Sequence, residues 1–416
     1  MTASADPTTR QLDIVVFGAS GFTGRLVVEY LLERYGADGE VRWGVAGRNE
    51  AKLRGVLSDL GATSESIPVM VADSSDADAL DAIASQTRVV LTTVGPYAKY
   101  GSELVAACVR NGTAYCDLAG EVQWMRKMID QHQDEAQQSG ARIVHACGFD
   151  SIPSDLGVWF LQRVANERFD APCNRVSLLV RAMRGGMSGG TVASLLNVIE
   201  EGKQDRTIAR QLVDPYTLNP EGERQGPDGR DQMSAAYNDQ LGVWTSPFVM
   251  AIINQRVVRR TNALLDYVYG RDFRYNESVI NGPGISGRLQ ALSTASGMGA
   301  FMLASSSDFL RENLVKRLLP EQGAGPGRQA RENGFFNLIL AGTTAAGESI
   351  RVRVTGDRDP GYGSTSKMIA ESALCLARDE LDVGGGFWTP ASAMKDQLLG
   401  RLEANAGLKF EVIDEG

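Results

Sequence analysis

The chain has 416 residues, 43% hydrophobic and 22% charged, the balance of a soluble globular protein with room for two domains and a sizeable core. A net charge of −9 and a pI near 5.0 argue against nucleic acid as a partner, since the overall field would repel a phosphate backbone. Two histidines and five cysteines without a C-x-x-C pair exclude a His-rich metal site and a zinc ribbon, so no metal is expected.

The odd cysteine number suits a reducing compartment better than a disulfide framework. Met1 to Arg10 is polar and lacks the apolar core of a signal peptide, so the expected location is cytoplasmic.

The first element is the apolar run Gln11–Phe17, which reads as a buried strand. Gly18-Ala19-Ser20-Gly21-Phe22-Thr23-Gly24 follows at once, and an amphipathic run from Arg25 to Tyr35 reads as a helix. A tight glycine turn between strand and helix aims backbone N–H groups and the positive end of the helix dipole at one point, where a diphosphate can sit. Gly18 permits the turn, Gly21 lets the backbone approach the phosphates, and Gly24 allows close packing of helix on strand. Gly18, Ser20, Gly21, Phe22, Thr23 and Gly24 are therefore the first candidates for holding a dinucleotide.

The next strand, Val41–Ala46, ends in Gly47-Arg48-Asn49, near the place where an NAD-binding fold carries an acid. Arg48 stands there instead, with Lys52 one helical turn on. A guanidinium fits a ribose 2′-phosphate and meets no partner on a bare hydroxyl. A charge-assisted bond of about 1.5–3 kcal/mol favours the phosphorylated coenzyme roughly ten- to hundredfold. Gly47, Arg48 and Lys52 thus select NADP(H) over NAD(H).

The alternation then continues. A strand at Ile67–Val71 runs into Asp73, and a helix spans Asp76–Ser85. The strand Arg88–Thr93 leads to Val94-Gly95-Pro96-Tyr97, and a helix from Ser102 stops at Asn111-Gly112. A strand at Ala114–Asp117, a helix from Val122 to Gln138 and a strand at Arg142–His145 complete the set. Such alternation predicts an α/β, Rossmann-like, doubly wound parallel sheet over residues 1–160. Ligands gather at the carboxyl ends of its strands, which adds Asp73, Val94, Gly95, Pro96, Gly148 and Asp150 to the cofactor candidates.

From about Cys173 the pattern changes. Strand-like runs at Val176–Met183, Tyr267–Val279, Phe335–Ala341 and Ser349–Thr355 are separated by long polar or glycine-rich insertions, with surface loops at Asn219–Asp231 and Pro320–Gly334. They predict a second α+β domain with a mixed or antiparallel sheet over 173–363. A helix at Thr365–Arg378, a helix from Pro390 to Glu403 and a strand at Lys409–Ile413 are expected to return to the first domain, as residues 364–416. Leu289 to Ser307 contains no charged residue. It reads as a buried helix of the second domain, or else as a membrane- or acyl-contacting surface over 285–319.

Several residues are candidates for chemistry. Tyr97 or Tyr100 could donate to a developing oxyanion or supply a proton, or simply pack. Asp117 and Glu121 frame a strand end, where carboxylates serve acid–base work or cap the following helix. Asp117 joins the two tyrosines as a catalytic candidate. Ser154 or Asp155 is expected to cap the next helix, and Cys116 and Cys147 to be core residues. Gly185–Thr191 could hold a phosphate at a helix start. Arg256, Arg259 and Arg260 read as a solvated charged face, with a phosphopantetheine phosphate or an acidic carrier domain as the functional alternative.

Several of these segments together resemble the saccharopine dehydrogenase-like family, and within it the actinobacterial trans-acting enoyl reductases that serve polyketide synthases making phthiocerol-type lipids. The resemblance is carried by Phe17-Gly-Ala-Ser-Gly-Phe-Thr-Gly24, Ala46-Gly47-Arg48, Thr92–Tyr97 with Tyr100-Gly101, and Tyr115–Glu121. It continues in Ala146–Asp155, Ser188–Thr191, Ile253–Leu265 with Tyr269-Gly270-Arg271, and Trp388–Ala391. It implies an NADPH-binding domain, a substrate and dimerisation domain, and reduction of an enoyl-thioester substrate held by coenzyme or by an acyl carrier domain of a polyketide synthase. A homodimer is expected with it. A sensor or scaffold that binds NADPH without turnover, and a dehydrogenase of an amino-acid adduct, stay open.

Overall fold

The computed structural model describes residues 10–185, 189–307, 309 and 325–413. In chain order the strands are β1 (Leu12–Phe17), β2 (Trp43–Gly47), β3 (Val69–Val71), β4 (Thr87–Thr92), β5 (Ala114–Cys116), β6 (Arg142–Val144) and β7 (Cys173–Arg184). They continue as β8 (Ala236–Asn238), β9 (Val243–Pro247), β10 (Arg274–Gly282), β11 (Phe335–Thr344), β12 (Ser349–Gly356), β13 (Gly386–Trp388) and β14 (Leu408–Val412). One compact unit is built chiefly from Met1–Phe149 and Gly361–Ala406, the other from Asp150–Gln322, Pro326–Pro360 and Gly407–Gly416.

The first unit holds a parallel sheet in the order β13-β6-β5-β4-β1-β2-β3. Every residue of β1 is buried, because helices cover both faces, and the strand is correspondingly apolar throughout except for Asp13. The helix Thr365–Arg378 packs on β1, β4 and β5, and its Glu371 accepts hydrogen bonds from Tyr30 (2.7 Å) and Tyr35 (2.5 Å) of the first helix. β13 then extends the sheet beyond β6.

The second sheet runs β14-β12-β11-β7-β10-β9-β8 and is mixed: β7 and β10 are parallel, and the other pairs antiparallel. Its outer strands alternate, as β12 shows with Ile350, Val352 and Val354 buried and Arg351 and Arg353 partly exposed, the signature of a sheet with one packed face.

Four readings of the sequence need correction. The terminal strand does not return to the parallel sheet: β14 pairs with β12, setting Phe410 opposite Val354, with Lys409 and Glu411 exposed. An alternating strand suits a half-covered edge and not a sheet buried on both faces. The helix Ile152–Phe169 belongs to the second unit, where Gly157 lies against Leu340 and Val354, so the first unit's leading segment stops at Phe149 and not near 160. The run from Tyr267 is not extended, because Asp266 and Tyr267 have φ of 52° and 61°, and β10 starts at Arg274.

The uncharged stretch from Leu289 lies in a helix, Gly284–Ser306, that begins before it with Arg288 included, and this is not a buried helix: Ile285, Leu289 and Leu303 are well exposed, and Gly287, Ala291 and Ser305 are its buried residues. Among the described residues no helix is long and apolar enough to cross a membrane. Residues 308 and 310–319 of the 285–319 segment, and part of the Pro320–Gly334 loop, lie outside the described residues.

Candidate functional site

β1 delivers the chain to a left-handed Gly18, at φ 89°, whose N–H donates to the Ala46 carbonyl at 2.8 Å. Gly21 N–H turns back to the Gly18 carbonyl at 2.9 Å, and the helix Phe22–Tyr35 starts at once. Among the described residues no side chain caps that helix, and its first turn holds no acid. Its N-terminal N–H groups and dipole are therefore directed at whatever anion occupies the turn.

The glycines are required by contact. A Cβ on Gly24 would overlap the Gly18 carbonyl oxygen and come within 2.9 Å of the Ala19 Cα. One on Gly18 would strike a methyl of Val94 and sit 3.2 Å from Thr93 Oγ1. The segment after β4 thus forms one wall of the glycine turn. This cradle fits a dinucleotide diphosphate: its glycines leave backbone as the lining, Ser20 and Gly21 at its tip are exposed, and the first turn of the helix carries no acid.

At the neighbouring strand ends Arg48 projects exposed after β2, and Asn49 caps the helix Glu50–Asp59 by accepting from Lys52 N–H at 3.0 Å. Lys52 is exposed on that helix. Asp73 follows β3, and hydrogen bonds from Ser75 hold its carboxyl below the usual range, with the Arg48 charge adding to them. The structure thus brings Arg48 and Asp73 to one corner of the rim, with Lys52 on the adjoining helix.

Behind the wall lies a buried polar network. Asp117 accepts Ala119 N–H (2.9 Å) and Ala146 N–H (3.0 Å) on one oxygen, and Tyr115 O–H (3.0 Å) on the other, which also lies 2.7 Å from His145 Nδ1. It therefore ties the ends of β5 and β6 together. The Tyr97 hydroxyl accepts from Leu118 N–H at 3.1 Å and donates to the Thr92 carbonyl at 3.3 Å. Glu121 accepts from Tyr97 N–H at 2.7 Å and Ala98 N–H at 2.9 Å.

Among the catalytic candidates, Tyr97 and Asp117 are buried, with the Tyr97 hydroxyl and both Asp117 oxygens hydrogen-bonded within the protein. Tyr100, 43% exposed, is the tyrosine of the pair with an accessible phenol. Glu121, weighed in the sequence only as an acid or a cap of its own helix, is fastened instead to a loop.

Val94 and Gly95 are half-buried and Pro96 is buried, following β4 through a cis Gly95–Pro96 peptide. Gly148 is buried, and a Cβ there would lie 2.6 Å from Leu118 Cδ2 and 3.0 Å from Thr365 Cγ2. Phe149 N–H donates to Thr365 Oγ1 at 3.0 Å. Asp150 falls in the second unit.

In the second unit the three arginines are neither a solvated face nor a phosphate site. Arg256 donates to Asp231 (2.9 Å) and the Leu212 carbonyl (2.7 Å), Arg259 to Asp228 (2.7 Å) and the Tyr275 carbonyl (2.9 Å), and Arg260 to the Leu218 carbonyl. All three are buried, so they fasten the segment 212–231 to the helix Ala251–Leu264. Nor do Ser154 and Asp155 cap their helix. Asp155 accepts from Thr261 Oγ1 at 2.5 Å, and Ser154 bonds to the buried Glu277. Glu277 also accepts from Tyr275 O–H (2.7 Å) and Asn254 Nδ2 (2.9 Å), and burial pushes its carboxyl up to about 6 against those bonds. Residues 186–188 of the Gly185–Thr191 motif lie outside the described residues. The five cysteines are buried and free, as core residues.

Residues 14–144 match the family described as the saccharopine dehydrogenase NADP binding domain. A trans-acting enoyl reductase of Mycobacterium tuberculosis is 40% identical over 412 residues, covering 95% of this chain and 96% of its own length. The trans-acting enoyl reductase of Mycobacterium leprae is 38% identical over 407 residues, with 95% and 96% covered. Among solved structures the fold is similar to that of saccharopine dehydrogenase (L-Glu forming) from Saccharomyces cerevisiae, with a TM-score of 0.52 at 12% identity, covering 97% of this chain and 100% of that one.

Proposed function

This chain belongs to the trans-acting enoyl reductase family, and on that premise we propose that it uses NADPH to reduce the carbon–carbon double bond of an enoyl thioester. The observation that carries the reading is the extent of the likeness: 412 aligned residues run through the second unit as well as the dinucleotide domain at 14–144. A shared coenzyme domain alone would leave the substrate open.

NADPH supplies a hydride from its nicotinamide ring when bound. The residues of the chain do the rest. Gly18, Ser20, Gly21, Phe22, Thr23 and Gly24 hold the diphosphate through backbone N–H groups and the helix dipole. Arg48 clasps the 2′-phosphate, assisted by Lys52, while Asp73 steadies Arg48 from the next strand. Val94, Gly95 and Pro96 form the wall beside the turn. Hydride arriving at the β-carbon of the thioester leaves negative charge on the carbonyl oxygen, which the exposed Tyr100 hydroxyl at the end of this segment stabilises. The proton for the α-carbon comes from the Tyr100 phenol or from a water next to it.

The expected substrate carrier is an acyl carrier domain of a polyketide synthase, and the active form a homodimer in the cytoplasm. The helix Gly284–Ser306, uncharged after Arg288 and with Leu289, Leu292 and Leu303 exposed, supports contact with an acyl chain or a lipid surface. The test is NADPH absorbance in the presence of a medium-chain enoyl thioester. Steady oxidation with a product two mass units heavier supports the reading; tight NADPH binding without oxidation of any enoyl thioester refutes it.

A further inference from the structure

Glu121 occupies an unusual position for a carboxylate. It is 0% exposed and stands at the N-cap of the helix Val122–Ser139, yet its side chain makes no capping bond to that helix. A buried carboxylate is costly unless hydrogen-bonded, and short polar side chains are the favoured N-caps. Its oxygens reach instead to the N–H groups of Tyr97 and Ala98, at 2.7 and 2.9 Å, 24 and 23 residues back in the chain. Those two groups open the short helix Tyr97–Tyr100 and would otherwise lack intrahelical partners.

The segment so gripped directly follows Val94-Gly95-Pro96, and the Val94 methyl is the group that a Cβ on Gly18 would strike. One end of the wall therefore abuts the glycine turn, while two charge-assisted bonds to Glu121 hold the other. The Tyr97 hydroxyl bond to Leu118 N–H adds a third tether on the same side.

We propose that Glu121 is a positioning residue: through the Tyr97 and Ala98 amides it sets where the Val94–Pro96 wall stands over the dinucleotide site, and so how the reactive ring is presented. The catalytic consequence rests on the enoyl reductase reading; the effect on the wall does not. A displacement of about 1 Å costs on the order of a hundredfold in rate where geometry limits the reaction.

The test uses the full chain with Glu121→Gln and Glu121→Asp. Five readouts are needed: NADPH affinity by calorimetry, thermal midpoint, nicotinamide fluorescence of bound NADPH, hydrogen exchange of the peptide spanning 94–101, and kcat with an enoyl thioester. Glu121→Gln should keep NADPH affinity within about threefold, because the diphosphate contacts are untouched. It should lose amide protection at 94–101, shift bound-NADPH emission toward that of free coenzyme, and lower kcat roughly a hundredfold, with Glu121→Asp in between.

Unchanged emission and protection would overturn the proposal. So would parallel loss of affinity, thermal midpoint and kcat with no recovery in Glu121→Asp, which marks a merely structural residue. If Glu121→Gln does not fold, the Asp variant decides by the same criteria. If the wild-type chain turns over no enoyl thioester, the enoyl reductase reading fails, while emission and exchange still judge Glu121.

Discussion

The Gly18 carbonyl oxygen occupies the space that a Cβ on Gly24 would need, so strand, turn and helix are in backbone contact. Neither the carbonyl nor the helix can move without displacing the N–H groups directed at the diphosphate. Gly24→Ala should therefore lower NADPH affinity roughly five- to 150-fold, as overpacking of about 1–3 kcal/mol is taken up by the turn. Calorimetry on the folded variant checks this; unchanged affinity would mean that the turn does not hold the coenzyme.

Arg48 is exposed and its removal leaves no cavity. Arg48→Ala should weaken NADPH roughly ten- to hundredfold and NADH by less than about threefold, since only the 2′-phosphate loses a partner. Titrating both coenzymes into the variant decides it, and equal losses would remove Arg48 from the 2′-phosphate site.

Tyr97 and Tyr100 should separate cleanly. Tyr97→Phe leaves the Leu118 N–H without its partner and should destabilise the fold by about 1–3 kcal/mol in denaturant titration. Tyr100→Phe removes an exposed hydroxyl and should change stability by less than about 0.5 kcal/mol. If Tyr100 is the proton source, kcat falls by about 10²-fold or more at unchanged stability. A full-speed Tyr100→Phe enzyme would assign the proton to water.

These residues also show what the sequence could and could not reveal. The strand Leu12–Phe17, the glycine turn after it and the helix Phe22–Tyr35 were legible because their signals lie within a few residues of one another. The helix Thr365–Arg378 was read to its ends for the same reason. The grip of Glu121 on Tyr97 spans 24 residues, and the bonds from Arg256, Arg259 and Arg260 to their loop span 25 to 44, so no local pattern announces either. The partner of β14 was misjudged because alternation specifies a half-buried strand without naming its sheet. The short strands β8, β9 and β13 carry too few residues for a period to show.

Glu277 gives a signature in pH. Its folded-state value of about 6 lies above the ordinary 4.5, so protonation favours the folded state. The contribution is fully present below pH 4.5 and is lost as pH rises through 6. The difference of about 1.5 units corresponds to about 2 kcal/mol. Denaturant titrations at pH 7.5 and pH 5 should show wild type gaining on Glu277→Gln by about 1.2 kcal/mol at the lower pH, the part of that difference present there. Parallel behaviour of the two proteins would contradict the raised value.

The account as a whole turns on hydride passing from coenzyme to a carbon–carbon double bond. The most direct measurement is turnover of an enoyl thioester with NADPH deuterated at nicotinamide C4, followed by mass spectrometry of the product. The expected result is a saturated thioester carrying one deuterium at the β-carbon, from one of the two C4 faces only. Bound deuterated NADPH that leaves the enoyl thioester unreduced, or a product without the label, would contradict it.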